Sequence, residues 1–407
     1  MAIIGRSGAV ALLAALALGM AACGKTGSHR ASSGGPVLAI TGAVAAPGAV
    51  SVATRNTTRL GGGEAVADAA AVARTVYPGL TSDTRPRAVV IVDRANRSAA
   101  LAAAALAGAP LDAPLLYSEG GKLPELTRET LAALRPTGVT ALGGVQVISI
   151  GAGSPAGFLT RRIATGEAAT TAVAVEQLLA SVQPVAATRS VIVVPSDAPA
   201  PLQMPAAGLA AESATPILYA AGTGVPAATR AALAALRKPA IYLIDAAALG
   251  AHAIAQLRAL GPVTSVSSGS GEESSAAGNA IAVARFTNGT FGWGVKEPGH
   301  GVVIANVARP LDAPAAAPLS ATGDYAPLLL VEGAAAVPAA LSTYLGDIQP
   351  AYTSAPQFRP VRGVYNHGWL IGDESAISAI AQAEIDTLLE ISPRKQSSEE
   401  ASVQQAE

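Results

Sequence analysis

The feature that most constrains the fold of this sequence is a pattern of apolar runs and prolines that occurs three times. Three runs rich in β-branched residues, at 89–92, 191–194 and 302–305, each predict a buried strand. In every copy one proline opens a second apolar run, and a later proline suits the first position of a helix. These prolines recur at matched spacings, at Pro114, Pro216 and Pro327 and then at Pro124, Pro226 and Pro338. The sequence therefore predicts three copies of one structural unit.

Alanine-rich segments between the strands predict helices, although Pro314 and Pro318 weaken this prediction in the third copy. Uniformly apolar strands that alternate with helices are typical of a parallel sheet covered on both faces. The predicted fold class is therefore α/β, with three Rossmann-like repeats whose parallel sheets pack as a pseudo-threefold assembly. We place repeat 1 at residues 55–159, repeat 2 at 160–264 and repeat 3 at 265–392. Copies two and three end with a closing helix, which copy one lacks.

The two ends of the chain have a different character. In the first 22 residues Arg6 is the only charge and an apolar stretch runs to Met20, which is typical of an export signal. Small residues then precede Cys23, as in the lipobox of bacterial lipoproteins, although Met20 stands where Leu is usual. We predict a lipoprotein signal peptide at 1–22 and acylation of Cys23, with an ordinary secretory signal as the alternative. Residues 23–54 predict a flexible tether, and residues 393–407 predict a disordered tail.

Composition and motifs exclude several functions. The chain carries 27 Lys and Arg against 28 Asp and Glu, so it has no basic surplus that would indicate a nucleic-acid partner. Residues 19–26 fit the letters of a phosphate-binding loop, but a signal segment precedes them instead of a buried strand, so we predict no nucleotide. The chain has one cysteine and none of the common hydrolase motifs, so we predict no catalytic residue set, no metal and no cofactor.

The order of short motifs in each copy points to a family. Arg59 precedes Gly63-Glu64, and Arg162 precedes Gly166-Glu167 by the same spacing. Asp312-Ala313 begins the helix of the third copy, and each second strand follows an Ala-Pro or Thr-Pro pair. The pattern resembles the cell wall-binding repeat 2 family of Gram-positive bacterial envelope proteins, over about residues 55 to 390. The resemblance implies three tandem repeats that attach a protein non-covalently to anionic wall polymers.

Arginines on predicted strand-end and seam segments are the candidate binding residues. Arg94 and Arg97 follow the first strand of repeat 1, and Arg161 and Arg162 lie at the boundary between repeats 1 and 2. Ligands of parallel sheets bind beyond the carboxyl ends of the strands, and guanidinium groups form charge-assisted bonds with phosphates. A solvated loop charge is the alternative for each of them. Recurrence in three copies predicts that binding is multivalent.

The resulting hypothesis is a non-catalytic lipoprotein on the outer face of the cytoplasmic membrane. Its repeats would bind an anionic cell wall polymer or a peptidoglycan-associated glycan, and its lipid anchor at Cys23 would hold it to the membrane. The alternative is a substrate-binding lipoprotein of an ABC-type importer, which has a similar length and also an α/β fold. That class needs two lobes around a cleft, whereas this sequence shows three similar copies.

Overall fold

The computed structural model describes residues 50–183, 190–322, 325–352 and 364–393. The predicted signal peptide, Cys23, most of the predicted tether and nearly all of the predicted tail lie outside these residues. The described residues alternate strands and helices in all three repeats, which confirms the predicted α/β class.

The repeats share one basic order of alternating strands and helices, but repeat 1 lacks a closing helix and repeat 3 has two additional short strands. Repeat 1 and the residues before it contain β1 (Val50–Ala53), β2 (Thr57–Gly61), α1 (Ala65–Val76), β3 (Val89–Asp93), α2 (Arg97–Ala103), β4 (Leu115–Ser118), α3 (Glu125–Leu134) and β5 (Val147–Ile150). Repeat 2 contains β6 (Thr160–Ile163), α4 (Ala168–Val182), β7 (Ser190–Pro195), α5 (Ala200–Gln203), α6 (Pro205–Ser213), β8 (Ile217–Ala220), α7 (Ala227–Ala235), β9 (Ala240–Leu243), α8 (Ala251–Leu260) and β10 (Val263–Ser265). Repeat 3 contains α9 (Ala276–Arg285), β11 (Gly301–Asn306), α10 (Asp312–Ala321), β12 (Leu328–Val331), α11 (Ala339–Asp347), β13 (Ala351–Tyr352), β14 (His367–Ile371), α12 (Ala379–Leu389) and β15 (Ser392–Pro393).

The three large sheets have the same strand order, and each includes the strand that leads into the first helix of a different repeat. Sheet 1 has the order β4-β3-β5-β6, sheet 2 the order β8-β7-β9-β10, and sheet 3 the order β12-β11-β14-β2-β1. All neighbouring strands are parallel except β1 and β2, which are antiparallel. We call β2, β6 and β10 the opening strands, because each leads into the first helix of the repeat that follows. In space, β6 joins the sheet of repeat 1, β10 that of repeat 2, and β2 that of repeat 3. The exchange is therefore cyclic; sheets 1 and 3 are offset by one strand from the predicted repeat boundaries, and β10 of sheet 2 crosses the boundary predicted after residue 264.

The recurring prolines lie where the chain enters each second strand and each following helix. The carbonyl oxygens of Pro114, Pro216 and Pro327 each accept a hydrogen bond of 2.9 Å from the neighbouring first strand, so these prolines extend the parallel ladder without donating to it. Pro124, Pro226 and Pro338 take the N-cap position, so each helix begins one residue after the predicted start. Their ψ angles of 142° to 155° are extended, which explains why the helical conformation begins at the next residue.

Alanine-rich helices from the three repeats pack against one another. α10 contacts α6 and α2, and α6 contacts the 3₁₀ turn at Ala104–Ala107 that continues α2. Alanine methyl groups allow this close approach, and nearly all of the alanines in these helices are buried. α10 forms despite its two prolines, because Pro314 lies in the first turn, where an amide has no intrahelical partner, and Pro318 stands only three residues before the helix ends.

Contacts between helices also join each repeat to a neighbouring repeat. The first helix of each repeat packs on the preceding one: α4 on α2, α9 on α5 and α6, and α1 on α10. Two buried tyrosines bridge these seams, because Tyr117 Oη donates to the carbonyl oxygen of Leu311 at 2.6 Å and Tyr219 Oη donates to that of Ser98 at 2.8 Å. A threefold axis that relates the repeats stays a prediction. Within the described ranges, no helix combines the length and the apolar character needed to cross a membrane.

Candidate functional site

The four predicted arginines fall into two separate places. Arg94 and Arg97 lie in the turn after β3 and at the start of α2, and both are exposed. Arg94 Nη1 lies 3.0 Å from Glu64 Oε2 and also forms an ion pair with Glu119, so two carboxylates already surround its charge. Neither Arg94 nor Arg97 lines the groove that Arg161 and Arg162 line.

Arg161 and Arg162 lie on β6, the edge strand of sheet 1, and both side chains are exposed. They line a groove of about 740 Å³ between this edge and α4. In the described part of the chain neither arginine has a hydrogen-bond or ion-pair partner. The groove wall contains no acidic residue, and we call it the arginine groove; its other lining residues are Ala141, Leu142, Val145, Ile163, Ala164, Thr170, Ala174, Gln177, Leu178 and Ser181.

Arg162 and Arg59 hold equivalent register positions, but only Arg59 is covered by a closing helix. Arg59 of β2 pairs with Leu370 of β14, and Arg162 of β6 pairs with the equivalent Ser149 of β5. Arg59 is only 2% exposed. Its guanidinium donates to Gln382 Oε1 of α12 and to backbone carbonyl oxygens beside that helix. Repeat 1 has no closing helix after β5, as the sequence predicted, so Arg162 meets no equivalent set of acceptors.

The three opening strands therefore do not present three equivalent arginines. Arg59 is buried at the edge of sheet 3, and Ser265 holds the matching register position at the edge of sheet 2, opposite Leu243. Among the described residues only the seam between repeats 1 and 2 has an exposed arginine pair at this position. The opening strands therefore offer one exposed arginine pair rather than three, and multivalent binding stays a prediction.

A buried charge cluster at the seam between repeats 1 and 3 escaped the sequence analysis. Arg309, on the turn before α10, forms an ion pair with Asp68 of α1, and its Nε lies 3.0 Å from Asp312 Oδ2. The backbone amide of Gly62 donates to Asp68 Oδ1 at 2.7 Å, and Asp373 Oδ1 lies 3.7 Å from Arg309 Nη1. Both buried carboxyl side chains are 0% exposed, whereas that of Arg309 is 15% exposed. The charge of Arg309 is therefore paired with carboxyl groups of the protein itself.

Two buried carboxyl groups share this one buried guanidinium, and the pKa values follow from that imbalance. Burial raises the pKa of Asp68 to about 6, against the pull of Arg309. Burial and the neighbouring Asp68 raise the pKa of Asp312 well above its usual range. Both effects favour the protonated form of Asp312 over its carboxylate in the folded protein.

Comparisons with known proteins show what this architecture resembles. No protein-family model matches the sequence, and no curated protein sequence matches it. The structure is similar to Cwp6 from Clostridium difficile, with a TM-score of 0.63 and 20% identity over 82% of this chain. It is also similar to Cwp8 from Clostridium difficile, with a TM-score of 0.60 and 15% identity over 82% of this chain. The chain spans about half the length of these structures, 48% and 52%. At this level of identity the likeness shows a shared fold.

Proposed function

We propose that this chain is a non-catalytic protein of the cell envelope that binds an anionic wall polymer or peptidoglycan-associated glycan through the arginine groove. The observation that carries the proposal is the pair of exposed, unpartnered guanidinium groups, Arg161 and Arg162, in a groove without acidic residues. A groove of about 740 Å³ lies within the usual size range of small-molecule sites, so it can hold a segment of a polymer.

The chemistry of the groove suits an anionic saccharide or polyol phosphate. Guanidinium groups bind phosphate and carboxylate oxygens with two parallel hydrogen bonds. Leu142, Ile163 and Leu178 offer an apolar surface beside them, and Thr170 and Gln177 offer hydroxyl and amide groups. Because the net charge of the chain is −1, attraction must come from this local pair rather than from the field of the whole protein.

Three observations support a place in the cell envelope. The sequence resembles cell wall-binding repeats, the fold is shared with two clostridial cell wall proteins, and residues 1–22 resemble an export signal. We further propose that Cys23 is acylated and holds the protein to the outer face of the cytoplasmic membrane. Metabolic labelling with a fatty-acid analogue should mark the protein and should fail to mark the Cys23→Ser variant. Equal membrane retention of both proteins would contradict the anchor.

The importer alternative has less support. A substrate-binding lipoprotein closes two lobes around one cleft, whereas the described residues form three similar sheets joined by packed helices. A thermal-shift screen with sugars, peptides and amino acids separates the two functions. Stabilisation by one small solute, without retention on walls, would favour the importer.

The test of polymer binding is retention on isolated cell walls. The Arg161→Ala/Arg162→Ala double variant should lose most of its binding, and its melting temperature should stay unchanged because neither side chain has a partner among the described residues. The matched control is Arg94→Ala/Arg97→Ala, which removes the same charge and should retain most binding. Retention of the wild type should also fall as the salt concentration rises through about 0.1 to 0.5 M, where charges are increasingly screened. Equal retention of both double variants would place the binding surface elsewhere.

A further inference from the structure

A second groove lies in repeat 2, between α4 and α7, and it differs in character from the arginine groove. Its volume is about 410 Å³. Small and apolar side chains form most of its wall, which consists of Val173, Glu176, Gln177, Ala180, Ala228, Ala231, Ala232, Ala235 and Leu236. Glu176 is the charged member of this wall. We call this the glutamate groove.

The Glu176 side chain has no compensating partner. It is only 6% exposed, yet it makes no hydrogen bond and no ion pair with any described residue. Burial raises the pKa of its carboxyl, and no neighbouring cation opposes that effect. An ionised carboxylate in such a place has lost much of its hydration without gaining a counterion. A cationic group that enters the groove would supply what the protein itself does not.

The other two repeats have different side chains at these positions, and in repeat 3 the equivalent space between α9 and α11 is also an open groove, of about 710 Å³. Glu176 corresponds to Ala284 in repeat 3, and the alanine at position 232 corresponds to Tyr344. Tyr344 is buried, its hydroxyl donates to the carbonyl oxygen of Val295 at 3.0 Å, and the guanidinium of Arg285 lies 4.9 Å from the centre of its ring. In repeat 1 the corresponding residues are Ala73 and Thr130, both buried. At these two positions, among the described residues, only repeat 2 combines a carboxylate on the first helix with an alanine on the facing helix.

We propose that the glutamate groove binds a primary ammonium group carried on an alkyl chain, as in a lysine-type side chain. The ammonium would pair with the Glu176 carboxylate, and the amide of Gln177 is available beside it. The methylene groups would pack on the methyl groups of Ala228, Ala231 and Ala235. The methyl-lined wall offers apolar contacts to the methylene groups of an unbranched chain. This site does not depend on the function proposed for the arginine groove.

The test is a titration of the full chain with Nα-acetyl-lysine methylamide at pH 8, followed through the ¹³C signals of alanine methyl groups. The neutral probe Nα-acetyl-norleucine methylamide has a side chain of similar length, and n-butylamine tests a free amine. We expect saturable shifts of the groove alanines with both amines and a Kd of about 1 to 10 mM, as befits one charge-assisted contact and a few methylene groups. We expect no shift with the neutral probe. Shifts with the lysine derivative alone would assign the site to a side chain on a peptide.

Two variants and one control make the test decisive. Glu176→Gln keeps the shape and removes the charge, so it should weaken amine binding at least about tenfold. Ala231→Leu keeps the charge and fills the groove, so it should also abolish binding. Glu129→Gln removes an equal charge from the exposed face of α3 and should bind as the wild type does. The proposal fails if the wild type shows no saturable shift with either amine, or if Glu176→Gln binds both amines as tightly as the wild type.

Discussion

Replacing Asp312 by Asn should make the protein more stable, and the gain should grow with pH. In the wild type, the folded protein holds a proton on the Asp68–Asp312 pair that the unfolded chain releases near the ordinary aspartate pKa of 3.8. Because the folded pKa values are raised, the stability of the wild type falls as the pH rises from the unfolded value through the folded ones. The asparagine side chain of the variant is neutral at every pH, so the variant does not have to retain this proton.

The size of this gain in unfolding free energy follows from a difference of one bound proton between the folded and unfolded states. A difference of one bound proton changes the free energy of unfolding by about 1.36 kcal/mol per pH unit. The pKa of Asp68 is raised to about 6, and that of Asp312 is raised well above its usual range. The advantage of Asp312→Asn over the wild type should therefore increase by about 2 to 2.7 kcal/mol between pH 4 and pH 6. The introduced amide can also donate to Asp68 and accept from Arg309, so the variant should keep the geometry of the cluster.

The assay is urea unfolding at a series of pH values, monitored by tryptophan fluorescence. The chain has two tryptophans, Trp293 and Trp369, and both lie in repeat 3. The matched control is Asp347→Asn, which removes an exposed carboxylate that pairs with Arg285. That control should change stability by less than about 1 kcal/mol, with a small loss at high pH. The reasoning is refuted if the difference between Asp312→Asn and the wild type is the same at pH 4 and pH 7.

Three further predictions concern the packing of the repeats. Arg59→Met should cost more than about 3 kcal/mol of unfolding free energy because it leaves several buried acceptors without a donor, whereas Arg162→Met, at the same register position, should cost less than about 0.5. Tyr219→Phe removes one buried seam hydrogen bond and should cost about 1 kcal/mol in urea unfolding. Ile192→Asp buries an unpaired charge in β7 and should lower the melting temperature sharply, whereas Ile380→Asp changes a side chain that is 78% exposed and should leave it nearly unchanged. An unaltered melting temperature for Ile192→Asp would exclude this strand from the core.

The sequence predicts the elements well because each has a local physical cause. Runs such as 89–92 and 191–194 are apolar on both faces, and the prolines mark positions that need no amide donor. The missing closing helix of repeat 1 was also predictable, because the segment that follows β5 contains turn residues. The sheet that each opening strand joins was not predictable in this way. A strand next to a repeat boundary can pair with either neighbouring sheet, and its own residues do not record which sheet it joins.

The candidate site was predictable only in part for the same reason. Arg161 and Arg162 stand out in the sequence, and the structure leaves both exposed. Arg59 precedes a Gly-Glu pair by the same spacing as Arg162 but lies under α12, more than 300 residues away along the chain. Asp68 and Asp312 come together through an equally distant contact between α1 and α10. Burial and charge pairing at such positions are properties of the tertiary fold, so no local pattern indicates them.

The pairing of β2 with β14 has a consequence for the order in which the protein folds. Sheets 1 and 2 each gain their last strand from the next stretch of chain to leave the ribosome, so they can close during synthesis. Residues 57–61 of β2, by contrast, are made among the first and must wait for residues 367–371, which are made about 300 residues later. Until then the backbone edge of β2 that pairs with β14 and the guanidinium of Arg59 have no native partners. We therefore expect the completion of sheet 3 to be the slow step of folding and the stage most exposed to proteolysis and strand-edge aggregation.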